Sequence, residues 1–204
     1  MYIPKYFKVT DAGEIQEFVQ ANSFGTLVTA EKGNPIATHL PLGFHTEGKD
    51  SYITGHLAYG NPQWRTLEAG ERVLAIFQGP HAYISSSWYD PENVPTWNYQ
   101  AVHIYGKAVI MDCQELKQEL ISMLEKYEKH RKNPILWETL SPGLLESQMK
   151  GIVGFKMKAE EIQAAYKMSQ NRHKTDYENI IDQLRLEGNK NSEEMAALME
   201  KRRK

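Results

Sequence analysis

The sequence predicts a mainly β fold, an antiparallel barrel with peripheral helices. Many short segments of high β propensity are separated by turns rich in glycine, proline and asparagine. No strand–helix unit recurs, as a doubly wound sheet would require. With 41% hydrophobic and 25% charged residues, the chain of 204 residues has the composition of a protein with a sizeable core.

The first third of the chain contains one helix and three strands. Asp11 and Glu14 have the spacing of a capping box, so a helix is predicted from there to about Asn22. Strands are predicted over residues 24–30, 35–44 and 52–57, with a hairpin loop at 31–34 and a polar loop at 47–50.

Proline and helix-capping residues mark most of the predicted boundaries in the remaining two thirds of the chain. Asn61 and Pro62 predict the start of a short helix, because asparagine caps and proline suits the first turn. The near-continuous apolar run 72–78 predicts a buried strand. Asp112 begins a helix with an apolar face from Leu116 to Tyr127. A linker with Pro134 and Pro142, a last strand from Gly151 through Met157, and helices after Asp176 complete the prediction.

One aromatic stretch, residues 83–106, stands out from this background. It begins as a strand, breaks at Asp90-Pro91 and resumes as a strand at Trp97. Large flat rings beside hydroxyls and an amide suit a pocket for a planar ligand. An aromatic barrel strand followed by a solvated loop explains the same residue types equally well.

The stretch resembles the PaiB family of FMN-binding negative transcriptional regulators. The resemblance rests on Tyr-Ile-Ser-x-Ser-Trp-Tyr and Val-Pro-Thr-Trp-Asn-Tyr-x-x-Val-His-x-Tyr-Gly, and it extends from about Tyr2 to Arg172. Ser86 stands where the family usually has proline. The resemblance implies a flavin-binding split barrel of the pyridoxamine-phosphate-oxidase type, FMN as cofactor, and a homodimer with the flavin near the subunit interface.

Three groups of residues are the candidate FMN contacts. The aromatic stretch offers walls and edge partners, and two further strands and a turn carry elements that the family shows in the same order. The segment Lys-x-Ser-Gln-Asn-Arg adds cations for the phosphate. For the histidines, a role in packing is the open alternative. The candidates are Ser85, Ser87, Trp88, Trp97, Asn98, Thr38, His39, His56, Asn61, Lys167, Gln170 and Arg172.

Other chemistries find little support in the residues. The seven histidines are scattered and Cys113 is the single cysteine, so neither a zinc site nor a disulfide is expected. A net charge of −2 is not typical of a strong nucleic-acid binder, although the chain ends in four basic residues and DNA stays a possible partner. No membrane segment or secretory signal is evident, which predicts a cytoplasmic protein.

The predicted organisation is a split-barrel FMN-binding domain over residues 1–172 and a helical appendage over 173–204, which packs on the barrel or on a partner subunit. The resemblance implies negative regulation of sporulation and protease genes. An FMN-dependent oxidoreductase acting on a small molecule is the alternative, and an interaction module with a vestigial flavin site is a third class. No catalytic residue can be assigned from the sequence.

Overall fold

The computed structural model describes residues 1–203 of the chain. Its eight strands follow the hydrogen-bonded order β3-β2-β6-β7-β8-β5-β4, and β1 pairs with β8. The strands are β1 Lys8–Val9, β2 Phe24–Glu31, β3 Asn34–Pro41, β4 Gly43–Glu47, β5 Asp50–Ala58, β6 Arg72–Ile84, β7 Thr96–Ile110 and β8 Ile152–Lys167. The helices are α1 Ala12–Ala21, α2 Trp64–Glu68, α3 Cys113–Glu128, α4 Pro142–Lys150, α5 Lys174–Leu186 and α6 Lys190–Lys201.

The chain divides into two compact units. The terminal unit comprises residues 1–22, 77–103 and 163 to the end of the described residues, and the central unit comprises residues 23–76 and 104–162. The predicted boundary between residues 172 and 173 stays a prediction. None of the helices within residues 1–203 is long and apolar enough to cross a membrane.

In the central unit, β2 and β3 form the predicted hairpin. Lys32 and Gly33 occupy the turn with φ of 50° and 82°, and Glu31 pairs with Asn34. Two successive residues with positive φ give the turn whose twist matches the flanking strands. The return strand predicted over residues 35–44 is confirmed, but it ends at Pro41 rather than at Phe44.

The chain changes strand partner directly after β3. Leu42 donates its N–H to the carbonyl of Ser23 at 2.8 Å, and Gly43 then begins β4, which pairs with β5. A Cβ on Gly43 would lie 2.2 Å from Thr54 Oγ1, so this position requires glycine for the close approach. Because this contact between Gly43 and Thr54 forms only in the folded chain, the sequence over 35–44 does not indicate the break.

The predicted helix start at Asn61 is wrong, whereas the buried strand predicted at 72–78 is present as the first part of β6. Asn61 opens a turn in which its Oδ1 accepts the N–H of Gln63 at 3.0 Å, and α2 begins at Trp64. Strand β6 runs on to Ile84 and alternates, with Val73 and Phe77 buried and Ile76 only half-buried. Its apolar run therefore belongs to a strand with one fully buried face.

In the second half of the chain, the predicted helix cap at Asp112 is confirmed, but several predicted boundaries differ from those of the structure. Asp112 forms the complete capping box of α3, but only Leu116 on the predicted apolar face is buried. Pro142 stands at the first turn of α4, so the region predicted as a linker contains a helix. Strand β8 continues to Lys167, ten residues beyond Met157, and β1 pairs with its far end through Lys8 and Ala165.

In the terminal unit, α5 and α6 cover each other's apolar faces. Ile180, Leu184, Met195 and Met199 are 0% exposed. Tyr177 Oη donates to the carbonyl oxygen of Met199 at 2.7 Å. The apolar face of the predicted helical tail is therefore covered within the terminal unit.

Candidate functional site

A polar cluster around buried Gln63 in the central unit joins two of the predicted contacts, Thr38 and Asn61, which are half-buried. Asn61 Nδ2 donates to Thr38 Oγ1 at 3.0 Å, and Thr38 Oγ1 donates to Gln63 Oε1. Gln63 Nε2 donates to the carbonyls of Leu27 at 3.1 Å and Ile36 at 3.2 Å. Gln63, which sequence reasoning missed, is 0% exposed and joins the turn before α2 to the β2–β3 hairpin.

The predicted histidines lie apart from this cluster. Successive strand residues face opposite sides, so His39 points away from Thr38. Its Nδ1 lies 2.9 Å from Thr26 Oγ1, and its ring stacks on exposed Phe24. His56 on β5 is half-buried, and burial lowers its pKa while the negative charge of Glu119 opposes that shift. The structure thus gives His39 an exposed position and His56 a sheltered one.

In the terminal unit, the serines of the aromatic stretch form a local turn. Ser85 Oγ accepts the N–H of Ser87 at 3.2 Å and lies 2.9 Å from Ser87 Oγ. A 3-10 helix over Ser86–Trp88 follows, and Trp88 is half-buried there. The turn uses the Ser85 hydroxyl internally and leaves Ser87 exposed.

Trp97 and Asn98 begin β7 with opposite environments. The Trp97 side chain is 53% exposed, with ring centroids 5.8 Å from Tyr83 and 6.2 Å from His81. Asn98 is 0% exposed, and its Nδ2 donates to Ser169 Oγ at 3.0 Å. Trp97 therefore offers an accessible ring, whereas Asn98 anchors the turn that follows β8.

That turn holds the three remaining candidates. Ser169 has a φ of 59°, and Gln170 closes the turn by accepting the N–H of Met168 at 2.7 Å. The Gln170 Nε2 donates back to the Tyr166 carbonyl. Because both ends of its amide are bonded to the backbone, Gln170 shapes the turn and sets the separation of Lys167 and Arg172.

Lys167 and Arg172 form a cation pair that lacks a carboxylate. Burial, and then the positive charge of Arg172, lower the pKa of Lys167, whose ammonium donates to Thr96 Oγ1. The Arg172 guanidinium lies 4.9 Å from the ring centroid of Tyr89. Within residues 1–203 neither cation forms an ion pair with an acidic side chain.

Two neighbouring, partly buried cations without a counter-charge fit an anion such as the phosphate of FMN. A cation that loses water without gaining an opposite charge is destabilised, and a bound phosphate would reverse that loss. The residues therefore fit the phosphate of the implied cofactor. No group of three or more histidine, cysteine or acidic side chains suited to a metal ion exists in the described part of the chain.

Comparisons with known proteins decide the family. The sequence model described as "Putative FMN-binding domain" matches residues 1–161. The "Protease synthase and sporulation protein PAI 2" of Bacillus subtilis (strain 168) is 70% identical over 200 residues, which cover 98% of this chain and 97% of that protein. The chain belongs to the PaiB family. The resemblance that its aromatic stretch carried is thereby confirmed, and with it a flavin-binding domain.

Solved structures confirm the predicted fold of the PaiB chain, a split barrel with peripheral helices. The flavocytochrome Anf3 from Azotobacter vinelandii matches with a TM-score of 0.63 at 14% identity, covering 87% of this chain and 78% of that one. The FAD and heme binding protein from Mycobacterium smegmatis matches with a TM-score of 0.58 at 11% identity, covering 78% and 73%. At such identities the likeness concerns the fold alone.

Proposed function

We propose that this chain is an FMN-binding, homodimeric negative regulator of sporulation and protease genes. The observation that carries the proposal is the 70% identity to the protease synthase and sporulation protein, which extends over nearly the full length of both chains. Membership of an FMN-binding-domain family supplies the cofactor.

The phosphate of FMN would bind between Lys167 and Arg172, which have no acidic partner among the described residues. Exposed Trp97 and half-buried Trp88 are the rings that would contact the isoalloxazine. Thr38, His39, His56 and Asn61 of the central unit remain predictions from the sequence, and Thr38 and Asn61 already bond within the cluster around Gln63. When bound, FMN supplies a ring system that can accept and return electrons.

The homodimer is proposed on the exposed apolar surface. Phe24 on β2 is 68% exposed and Val109 on β7 is 62% exposed, and most of the predicted apolar face of α3 is not buried. Large apolar side chains left in solvent are typical of a surface that associates. A twofold dimer is the commonest closed assembly. Light scattering should give twice the chain mass of 23.5 kDa, and a monomer at micromolar concentration would contradict the proposal.

A repressor that binds DNA directly should lose affinity steeply as salt rises, because counterions are released from the phosphates it neutralises. The basic C-terminus was the candidate for this contact. Arg202 pairs with Glu14 and Arg203 with Glu178, while Lys204 lies outside the described residues. A truncation from Lys201 onward would therefore also remove structural ion pairs, and single substitutions test the salt slope better.

The functional test is complementation of a Bacillus subtilis strain that lacks its PAI 2 protein. Expression of this chain should lower extracellular protease activity and sporulation, and the pure protein should retard target promoter DNA at low salt. Steady-state NAD(P)H oxidation should be negligible. Rapid turnover with a defined electron acceptor, together with no complementation and no DNA retardation, would overturn the regulator and favour an FMN-dependent oxidoreductase.

A further inference from the structure

The terminal unit contains a basic cleft of about 750 Å³. Five cationic side chains and one carboxylate line it: Arg172, Lys174, Lys201, Arg202, Arg203 and Glu178. Arg172 precedes α5 and Lys174 begins it, whereas the other three cations come from the last turn of α6 and the residues after it. The fold thus brings together two basic segments that are separated by the whole length of α5 and α6.

The positive charges of this basic cleft exceed the carboxylates that neutralise them. Arg203 pairs with Glu178, and Lys174 approaches the same carboxylate only to 4.0 Å. Arg202 pairs with Glu14. Within residues 1–203, Lys201 forms no ion pair with an acidic side chain. Arg172 forms none either, but its charge is already assigned to the FMN phosphate. A chain with a net charge of −2 therefore carries a local concentration of unbalanced positive charge.

The shape and the rings of the basic cleft favour a small ligand. Its volume lies within the range of about 300–1,000 Å³ that is typical of small-molecule pockets. Tyr6, whose side chain is 74% exposed, and Tyr177 add aromatic faces to the lining. Cations that bind duplex DNA form a patch or a stripe along one face of a protein, whereas the cations of the basic cleft converge on a cavity. Converging cations beside aromatic rings suit a phosphate group attached to a planar base.

The basic cleft also lies outside the part of the chain that the FMN-binding family model describes. That model ends at residue 161, and apart from Tyr6 all lining residues follow it. Helix α5 begins there without a side-chain cap, which leaves its first N–H groups able to support an anion. We propose that the basic cleft is a second ligand site, which binds a small phosphorylated molecule with the chemistry of a nucleoside diphosphate.

Calorimetry of the full-length protein saturated with FMN tests this site, with ADP, pyrophosphate and adenosine as probes. ADP should bind more tightly than pyrophosphate, and adenosine should bind weakly or not at all. Lys174→Gln and Lys201→Gln should each weaken ADP by about tenfold, because each removes one charged contact to phosphate. Lys190→Gln removes the same charge from a largely exposed position at the other end of α6, where Lys190 pairs with Glu194 of its own helix, and should not change ADP affinity. Arg172 is left intact, because it is also a proposed FMN contact.

Four results would overturn the proposal. ADP could fail to bind at millimolar concentration, or it could bind equally well to the two cleft variants and the Lys190 variant. FMN could compete with ADP, which would assign the cleft to the cofactor's own phosphate. A DNA duplex could bind instead and be lost in the same two variants, which would make the cleft part of a nucleic-acid interface. Since FMN binding is measured separately, loss of ADP with FMN retained leaves the proposed regulator intact.

Discussion

The polar cluster around Gln63 and the cation pair of Lys167 and Arg172 differ in whether their polar groups have partners within the chain. In the central unit, the oxygen and the nitrogen of the Gln63 amide both bond to other groups of the chain, so the cluster is complete by itself. In the terminal unit, two partly buried cations have no acidic partner among the described residues. Both groups lie at positions that sequence reasoning assigned, wholly or in part, to the cofactor.

This contrast distinguishes polar groups that stabilise the fold from charged groups that are free to bind a ligand. A buried amide with all its hydrogen bonds made stabilises the fold, and its loss leaves unsatisfied partners. A buried charge without a counter-charge weakens the fold until an anion binds. Substitutions in the first group should therefore change the free energy of unfolding, and substitutions in the second should change ligand affinity.

The largest expected effect is on stability, from Gln63→Leu. Leucine has a similar volume but leaves the carbonyls of Leu27 and Ile36 buried without the amide donor. At about 1–3 kcal/mol for each buried group left unsatisfied, the free energy of unfolding should fall by about 3 kcal/mol. Urea denaturation of the purified variant measures this loss.

Gln118→Leu is the matched control, because Gln118 lies exposed on α3. It should change the free energy of unfolding by less than about 0.5 kcal/mol. If Gln63→Leu were as stable as the Gln118 variant, the cluster would contribute nothing to the fold, and its polar atoms would be free to serve a ligand.

The second effect is on cofactor affinity, from Arg172→Ala. Loss of a charge-assisted contact to phosphate should weaken FMN by about 1.5–3 kcal/mol, while riboflavin, which has no phosphate, should bind almost as before. Quenching of flavin fluorescence measures both affinities. Arg131→Ala, which removes an exposed arginine from the central unit, is the control. Equal losses for FMN and riboflavin would show that Arg172 does not contact the phosphate.

The smallest effect concerns the pH dependence of stability. Burial lowers the pKa of folded His56 below its ordinary value of 6.5, so the unfolded chain takes up the proton first as pH falls. The free energy of unfolding should therefore decrease as pH falls through 6.5 toward the folded pKa. Burial and the charge of the amino terminus shift His103 the same way, so His56→Gln should remove only part of the decrease.

Urea midpoints at about pH 7.5 and about pH 5.5 measure this dependence in the wild-type protein and in His56→Gln. Exposed His130→Gln should leave the wild-type difference unchanged. A difference of the same size in the His56 variant would mean that His56 titrates alike in the folded and unfolded states. In that case the sheltered position of its imidazole has no energetic consequence.

Local chemistry explains the elements that the sequence predicts well. The caps at Asp11 and Asp112 and the turn at Lys32-Gly33 depend only on residues within a few positions of one another. The strand break at Leu42 does not, because it depends on the approach of Gly43 to Thr54. An apolar run can therefore contain two strands with different partners, and only the tertiary structure shows where one ends.

The candidate site divides in the same way. The aromatic motif and the Lys-x-Ser-Gln-Asn-Arg segment are contiguous, so the resemblance to the PaiB family reaches them directly. Gln63 has no signal in the sequence, because a glutamine after Asn-Pro reads as a surface residue. The meeting of Lys201 with Arg172 in one cleft depends on how α5 and α6 pack, which no local pattern encodes.

The most direct test of the phosphate site compares FMN and riboflavin on the unmodified full-length protein by calorimetry. The two ligands share the ring system and differ by the phosphate. If Lys167 and Arg172 both contact that phosphate, FMN should bind at least about a hundredfold more tightly, since each charged contact contributes about tenfold or more. The FMN affinity should also fall as inorganic phosphate is added. Equal affinities for FMN and riboflavin would contradict the account.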